Sequence, residues 1–377
     1  MSRIATLLSV ALSLGTSAAL AAAPAAAAPV GPGTAGTEAG STVSATSEAT
    51  VRPDGTRTVT LYSGPVRVRR GAEWLPVDLT LQPGPDGVVR PVAAPHDLRL
   101  TPTGPSVRYA RGGSAAVVWP EQLPTPELDG STAVYRQVAP GYDLEVEATR
   151  AGFVASVRTD GTATGPAPEL RLTGDAEAGP DAATPLTEAE SAVSRVVAAA
   201  PVTAEAPVPF DTTTQTTVRN TDTSGDPDLR LGSYDGTAAA RGYLTFDLTE
   251  AGALGGATVR SATLDLYQTW SASCRPRAWE VWTLPAGTTV GPKLRWANQP
   301  RPERLRATST DTRGNAAACA PGWSSVDVTG LVAEWAAAGA TSGTVVLKAA
   351  DEADPLSWKR FASAETATVP HLTVTLG

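Results

Sequence analysis

The sequence predicts an all-β protein made of two antiparallel β-sandwich domains, jelly-roll-like, with one short helix in the second. Three observations carry that expectation. Apolar and polar residues alternate with a period of two in short runs, Gly-, Pro- and Asp-rich turn signals separate the runs, and 377 residues give room for two domains.

The chain opens with the layout of a secretory signal over residues 1–28. Arg3 is followed by an apolar run from Ile4 to Leu14 and then by small residues from Ala18 to Ala28, with cleavage expected after Ala21 or, as a second site, after Ala27. The run is shorter than the ~20 residues a membrane-spanning helix needs, so a secreted, extracellular protein without membrane insertion is expected. Residues 29–47 are Gly, Ala, Thr, Ser and Pro, too poor in large apolar groups to offset the entropy of ordering, and read as a disordered leader.

Residues 48–172 form the first expected sandwich. Leu75, Val77, Leu79 and Leu81 alternate with Pro76, Asp78 and Thr80 as one half-buried strand; Tyr142, Leu144, Val146 and Ala148 alternate with Asp143, Glu145 and Glu147, and Ala151-Gly152 turns the chain into Phe153, Ala155 and Val157. Residues 173–209 dissolve into Ala, Pro, Thr and acidic residues and read as a linker, with a helical segment expected after the Thr187/Glu190 capping pair, through Val193, Val196 and Val197. Residues 210–377 form the second sandwich, marked by Leu244, Phe246 and Leu248, by Ala262, Leu264 and Leu266, and by Leu372, Val374 and Leu376. Its one helix is capped by Asp327 or Thr329, carries Leu331, Val332 and Trp335 on one face and ends at Gly339.

Composition excludes several functions. Two Cys and two His cannot build a four-thiolate zinc site, an iron-sulfur cluster or a three-histidine zinc centre. A net charge of −8 with scattered Arg argues against nucleic-acid binding. In an oxidising compartment Cys274 and Cys319 are expected to pair, closing a loop whose chain entropy is worth roughly 4 kcal/mol. Residues 31–36 match the dinucleotide-binding glycine pattern in letters alone, with no strand before them and no crossover after. No serine nucleophile motif is present, and nothing joins His96 or His371 to a nucleophile, so no enzyme activity is expected.

The positive signal is aromatic. Trp outnumbers Phe by nine to four, and seven of the Trp lie between Trp270 and Trp358. Exposed Trp rings pack against the C–H face of a sugar; filling the core is the competing role. Trp279 and Trp282, three apart on a strand, face opposite sides, and Trp270 sits in a Ser-rich loop near Arg275 and Arg277, whose guanidinium groups suit an acidic glycan. Asp211, Asp222, Asp226 and Asp228 form an acidic loop that can hold Ca²⁺, the one cofactor expected; a solvated loop is the alternative.

The second domain resembles the DNRLRE domain, grouped with carbohydrate-binding module family 96. The likeness rests on residues 241–248 (RGYLTFDL), 257–264 (ATVRSATL), 294–300 (LRWANQP), the Trp323 to Trp335 stretch and residues 361–365 (FASAE), in that order. Residues 63–66, 74–81 and 142–148 of the first domain resemble the leader region of actinobacterial RHS-repeat and wall-associated proteins. The resemblance implies a non-catalytic module that binds extracellular or cell-wall polysaccharide. The alternative is a structural or assembly unit of a surface protein system, with a protein partner in place of a glycan.

Overall fold

The computed structural model describes residues 40–110, 112–174, 192–199, 209–249, 254, 257–288, 290–291 and 293–377. The signal, most of the leader, the Thr187/Glu190 capping pair and the rest of the linker lie outside the described residues. Residues 38–377 form one compact unit.

The fold is all-β, as the alternation predicts. Its C-terminal sandwich has two layers. In the first, the central strand Val259–Ser271 pairs antiparallel with Gly322–Asp327 on one side and, on the other, first with His371–Leu376 and then with Lys359–Ala362. Asp228–Ser233 pairs with Lys359–Ala362 and also with Ala239–Asp247, carrying the chain into the second layer. There Ala239–Asp247 is flanked by Phe210–Gln215 and Ser342–Ala349, and Trp279–Thr283 and Arg304–Ser309 complete the layer. Leu244, Phe246, Leu264, Leu266, Leu372 and Val374 point inward to a common core with Trp279, Val345, Leu347 and Phe361.

The helix Thr329–Ala337 closes one end. The Asp327 carboxylate accepts from the Thr329 N–H at 2.8 Å and from its hydroxyl at 2.6 Å, satisfying a first-turn donor. Leu331 and Val332 are buried, and the Trp335 ring lies where a Cβ on Gly343 would be 2.5 Å from it, so only glycine lets helix and strand approach.

The front of the chain differs from its expected boundaries in two places. Gly40–Val43, Ser47–Val51 and Arg57–Tyr62 form antiparallel strands whose last member pairs with His371–Leu376 over six residues. The apolar side of that hairpin, Ala49, Val59 and Leu61, joins the C-terminal core, because His371–Leu376 would otherwise leave a row of backbone donors and acceptors open at an edge. The first sandwich keeps a core of its own, with Leu98, Tyr135, Leu144, Phe153 and Val157 fully buried. Its layers are a six-stranded and a five-stranded sheet. The strand expected across Leu75–Leu81 is split into Glu73–Pro76 and Asp78–Pro83, and the Val77 N–H donates to the Val66 carbonyl.

The second departure is the expected helix. Ala192–Ala199 is a strand that pairs with Gly152–Thr159. An isolated helix this short is unstable in water, whereas addition to an open edge satisfies the backbone at once. Leu172–Gly174, at the start of the stretch read as a linker, is likewise a strand, paired with Ser114–Val117.

Candidate functional site

Alternation on the central strand sends Leu264 and Leu266 inward and leaves Thr263, Asp265 and Tyr267 on the outer face. Register then assembles a row across strands. Tyr267 stands opposite Trp323, Asp265 is flanked by Ser325 and His371, and His371 stands opposite Tyr62. The rings touch in sequence: Tyr267 to Trp323 at 5.5 Å, Trp323 to His371 at 5.0 Å and His371 to Tyr62 at 5.5 Å between centroids. Trp323 is 40% exposed. Asp265 accepts from the Ser325 hydroxyl at 2.5 Å and from Thr373 at 3.3 Å, and lies 3.6 Å from His371 Nε2. The Tyr62 hydroxyl donates to Glu48 at 3.2 Å; burial and the neighbouring carboxylate push its pKa up to about 12, so it stays a donor. Beside the row, Thr58 and Thr60 face Thr375 and Thr373, giving a flat hydroxylated surface.

Trp270 lies on the same layer. A register shift between Gln268 and Trp270 turns the ring outward, where it is 38% exposed and opposite Arg360. The Arg360 guanidinium sits 5.7 Å from the ring centroid and pairs with Asp228 at 3.5 Å. One face of the indole is thus electrostatically engaged.

The other residues singled out from sequence do not gather around Trp270. Trp279 is fully buried, stacked edge-on against Phe361 at 5.3 Å with its Nε1–H donated to the Asp311 carbonyl, which corrects its assignment to a ligand face. Trp282 belongs to the second layer; its Nε1–H donates to Glu280 and Lys348 lies 5.6 Å from its ring. Arg277 is paired with Asp354 at 2.5 Å, and Arg275 is exposed next to the Cys274–Cys319 disulfide, whose Cα atoms are 5.7 Å apart.

The four aspartates have separate partners. Asp211 accepts from Ser63 and the Ala364 N–H, Asp222 pairs with Arg295, Asp226 with Arg195 and Arg230, and Asp228 with Thr269 and Arg360. Among the described residues no three His, Cys, Asp or Glu side chains are grouped as metal ligands.

Two of the motifs behind the family likeness, residues 241–248 and 294–300, belong to the second layer; 257–264, the Trp323 stretch and 361–365 supply strands of the first. Arg241 and Tyr243 point outward from Ala239–Asp247 and are covered by the loop at 294–300. Gln299 accepts from Tyr243 at 2.9 Å and Thr214 at 3.1 Å, Arg241 lies 5.0 Å from the Trp296 centroid, and Glu352 holds Arg241 by two 2.8 Å bonds. That loop roofs the second layer over Tyr243 and Val346, so Trp296 is an anchor. The first layer carries the open aromatic face. None of Tyr62, Tyr267, Trp323 and His371 is a ligand candidate from sequence, where Trp323 enters as a landmark of the family likeness and His371 as a histidine with no nucleophile beside it. Alternation does put Tyr267 on the polar side of its strand, but pairing across 56 residues or more is invisible to it.

Residues 203–376 match the family model of carbohydrate-binding module family 96. The C-terminal sandwich is therefore similar to a carbohydrate-binding module. No curated protein matches the chain. The likeness of the first domain to RHS-type leader regions finds no support in the family match, which begins after that domain. No helix among the described residues is long and apolar enough to cross a membrane.

Proposed function

We propose that this is an exported, non-catalytic protein that binds extracellular or cell-wall polysaccharide on the outer face of the first C-terminal layer. The observation that carries the reading is the pair of exposed indoles, Trp323 and Trp270, on one open sheet face within the stretch that matches a carbohydrate-binding family. A flat sheet face lays rings parallel to an extended chain, and the hydroxyls and carboxylate that continue the face beyond Trp323, Ser325, Thr373 and Asp265, suit sugar hydroxyls. Shallow aromatic platforms bury little ligand, so weak affinity is expected. Export rests on the amino-terminal signal layout and agrees with the Cys274–Cys319 disulfide.

A structural or assembly unit needs a surface for a protein partner, and the acidic alternating face of Asp143, Glu145 and Glu147 is the candidate for it. That face is largely neutralised: Asp143 pairs with Arg136 at 2.7 Å and Glu145 with Arg158 at 2.8 Å.

The test is retention of the full chain on soluble and insoluble polysaccharides, peptidoglycan included, with Ca²⁺ or with EDTA. Saturable retention lost in Trp323→Ala or Trp270→Ala, with unchanged melting temperature, establishes the reading. Absence of retention on every matrix refutes it and turns the search to a protein partner.

A further inference from the structure

The aromatic row does not end where the family match ends. Its last ring, Tyr62, comes from Arg57–Tyr62, more than a hundred residues before the matched stretch. Six backbone pairs fix that strand against His371–Leu376, and Tyr62 meets His371 ring to ring at 5.5 Å. Tyr62 is itself held: Glu48, from the adjacent strand, accepts its hydroxyl, and Arg67 pairs with the other Glu48 oxygen. The geometry therefore continues from Tyr267 through Trp323 and His371 to Tyr62 without a break.

The charges along this row are balanced. Arg67 is matched by Glu48, and His371 faces Asp265. A polyanionic chain laid here meets two carboxylates and no cation that lacks one. A hydroxyl-rich chain without charge can donate to Asp265, to Glu48 and to the Tyr62 oxygen, whose own O–H is taken by Glu48.

We infer that the binding face is shared between the front hairpin and the C-terminal module, with Tyr62 supplying its far subsite, and that the row takes an uncharged polysaccharide. The inference rests on the polysaccharide reading above.

The experiment is affinity gel electrophoresis of the full chain in gels containing a neutral polymer (xyloglucan, mixed-linkage β-glucan, galactomannan or starch) or a polyanion (alginate, polygalacturonate or heparin). The variants are Trp323→Ala, Tyr62→Ala and Tyr62→Leu, the last keeping apolar bulk at the strand should alanine unfold it. Retardation in a neutral gel is expected. Each Tyr62 variant that keeps its melting temperature should weaken it roughly twofold to tenfold, the scale of one aromatic contact. Retention lost in Trp323→Ala but unchanged in both Tyr62 variants overturns the shared face and leaves the polysaccharide reading intact. Retention in polyanion gels alone overturns the uncharged class. Retention in no gel overturns this inference together with the reading beneath it.

Discussion

The carboxylate of Glu365, on the last loop of the C-terminal sandwich, accepts the backbone N–H of Arg150 at the end of a strand of the first sandwich. Arg150 returns the contact through its guanidinium, to the carbonyls of Pro65 and Thr366. Next to it, Arg195 reaches from Ala192–Ala199 to the Asp222 carbonyl and the Asp226 carboxylate. Gly225 lies so near that an added Cβ would come within 2.7 Å of Val154 and 3.3 Å of Val197. The two sandwiches are joined by a buried, hydrogen-bonded seam.

That seam makes stability depend on pH. Burial, and then the Asp211 charge, push Glu365 up to about 8; burial pushes Asp211 up to about 7, and burial with the Glu145 charge pushes Glu147 up to about 7. In the unfolded chain these groups lose their protons near pH 4. The folded protein therefore holds more protons between, and the contribution is complete below about pH 4 and drains as pH rises through 7 to 8. Melting temperature is expected to fall between pH 5 and pH 8. Glu365→Gln, which keeps an acceptor for Arg150, should flatten that slope. Identical slopes in both proteins would show that Glu365 is not its source. The window stops at 8 because burial holds Lys359 down to about 8, which acts in the opposite sense above it.

Removing Arg195 tests the seam itself. The Arg195–Asp226 pair is nearly dry, and Arg195→Ala strips one of the two cations from a buried carboxylate and leaves the Asp222 carbonyl short of a donor. The expected loss is about 1–3 kcal/mol in urea unfolding. A transition that also broadens or splits would identify the seam as the coupling between sandwiches. An unchanged midpoint would mean that the contact contributes nothing net.

What sequence reasoning reached and what it missed divide along a physical line. Alternation is local, so the inward faces of Leu244–Leu248, Ala262–Leu266 and Leu372–Leu376 were readable, as was the helix, although its N-cap position is Val328 and Asp327 takes the Thr329 N–H from one residue further out. Strand pairing is not local. Nothing in residues 48–62 says that they complete a sheet closed more than three hundred residues later, and the same holds for the ring contact of Tyr62 with His371. The Ala192–Ala199 segment misled because Val196 and Val197 satisfy a helical face and a strand equally, and an open strand edge decided between them. Trp279 misled for a related reason: a strand shows two faces, and sequence did not say which of Trp279 and Trp282 looked inward.

The disulfide should stabilise the Trp270 end in particular. Asn315, four residues before Cys319, donates to the Ser271 carbonyl, and Cys274 follows Trp270 closely, so the bridge ties together the two loops beside that ring. Cys274→Ser and Cys319→Ser should each lower stability by up to roughly 4 kcal/mol, less whatever order the reduced loop retains. Polysaccharide retention through Trp270 should weaken with it, whereas the Trp323 end, held by its strand pairing, should not. Melting curves unchanged in both variants would remove the bridge from the stability of this domain.

The two indoles at either end of the Trp270–Trp279 segment should behave oppositely on truncation. Trp279 is 0% exposed, touches Phe361 and donates to Asp311, so alanine leaves a cavity and an unpaired carbonyl; the cost is about 3–5 kcal/mol. Trp270 is more than a third exposed and contacts Arg360 across one face, so Trp270→Ala should cost no more than about 1 kcal/mol while reducing retention on polysaccharide. Chemical unfolding and affinity electrophoresis on the same two variants separate packing from recognition. Equal destabilisation by both would mean that the Trp270 ring serves the fold, and the recognition face would then contract to Trp323 and its neighbours.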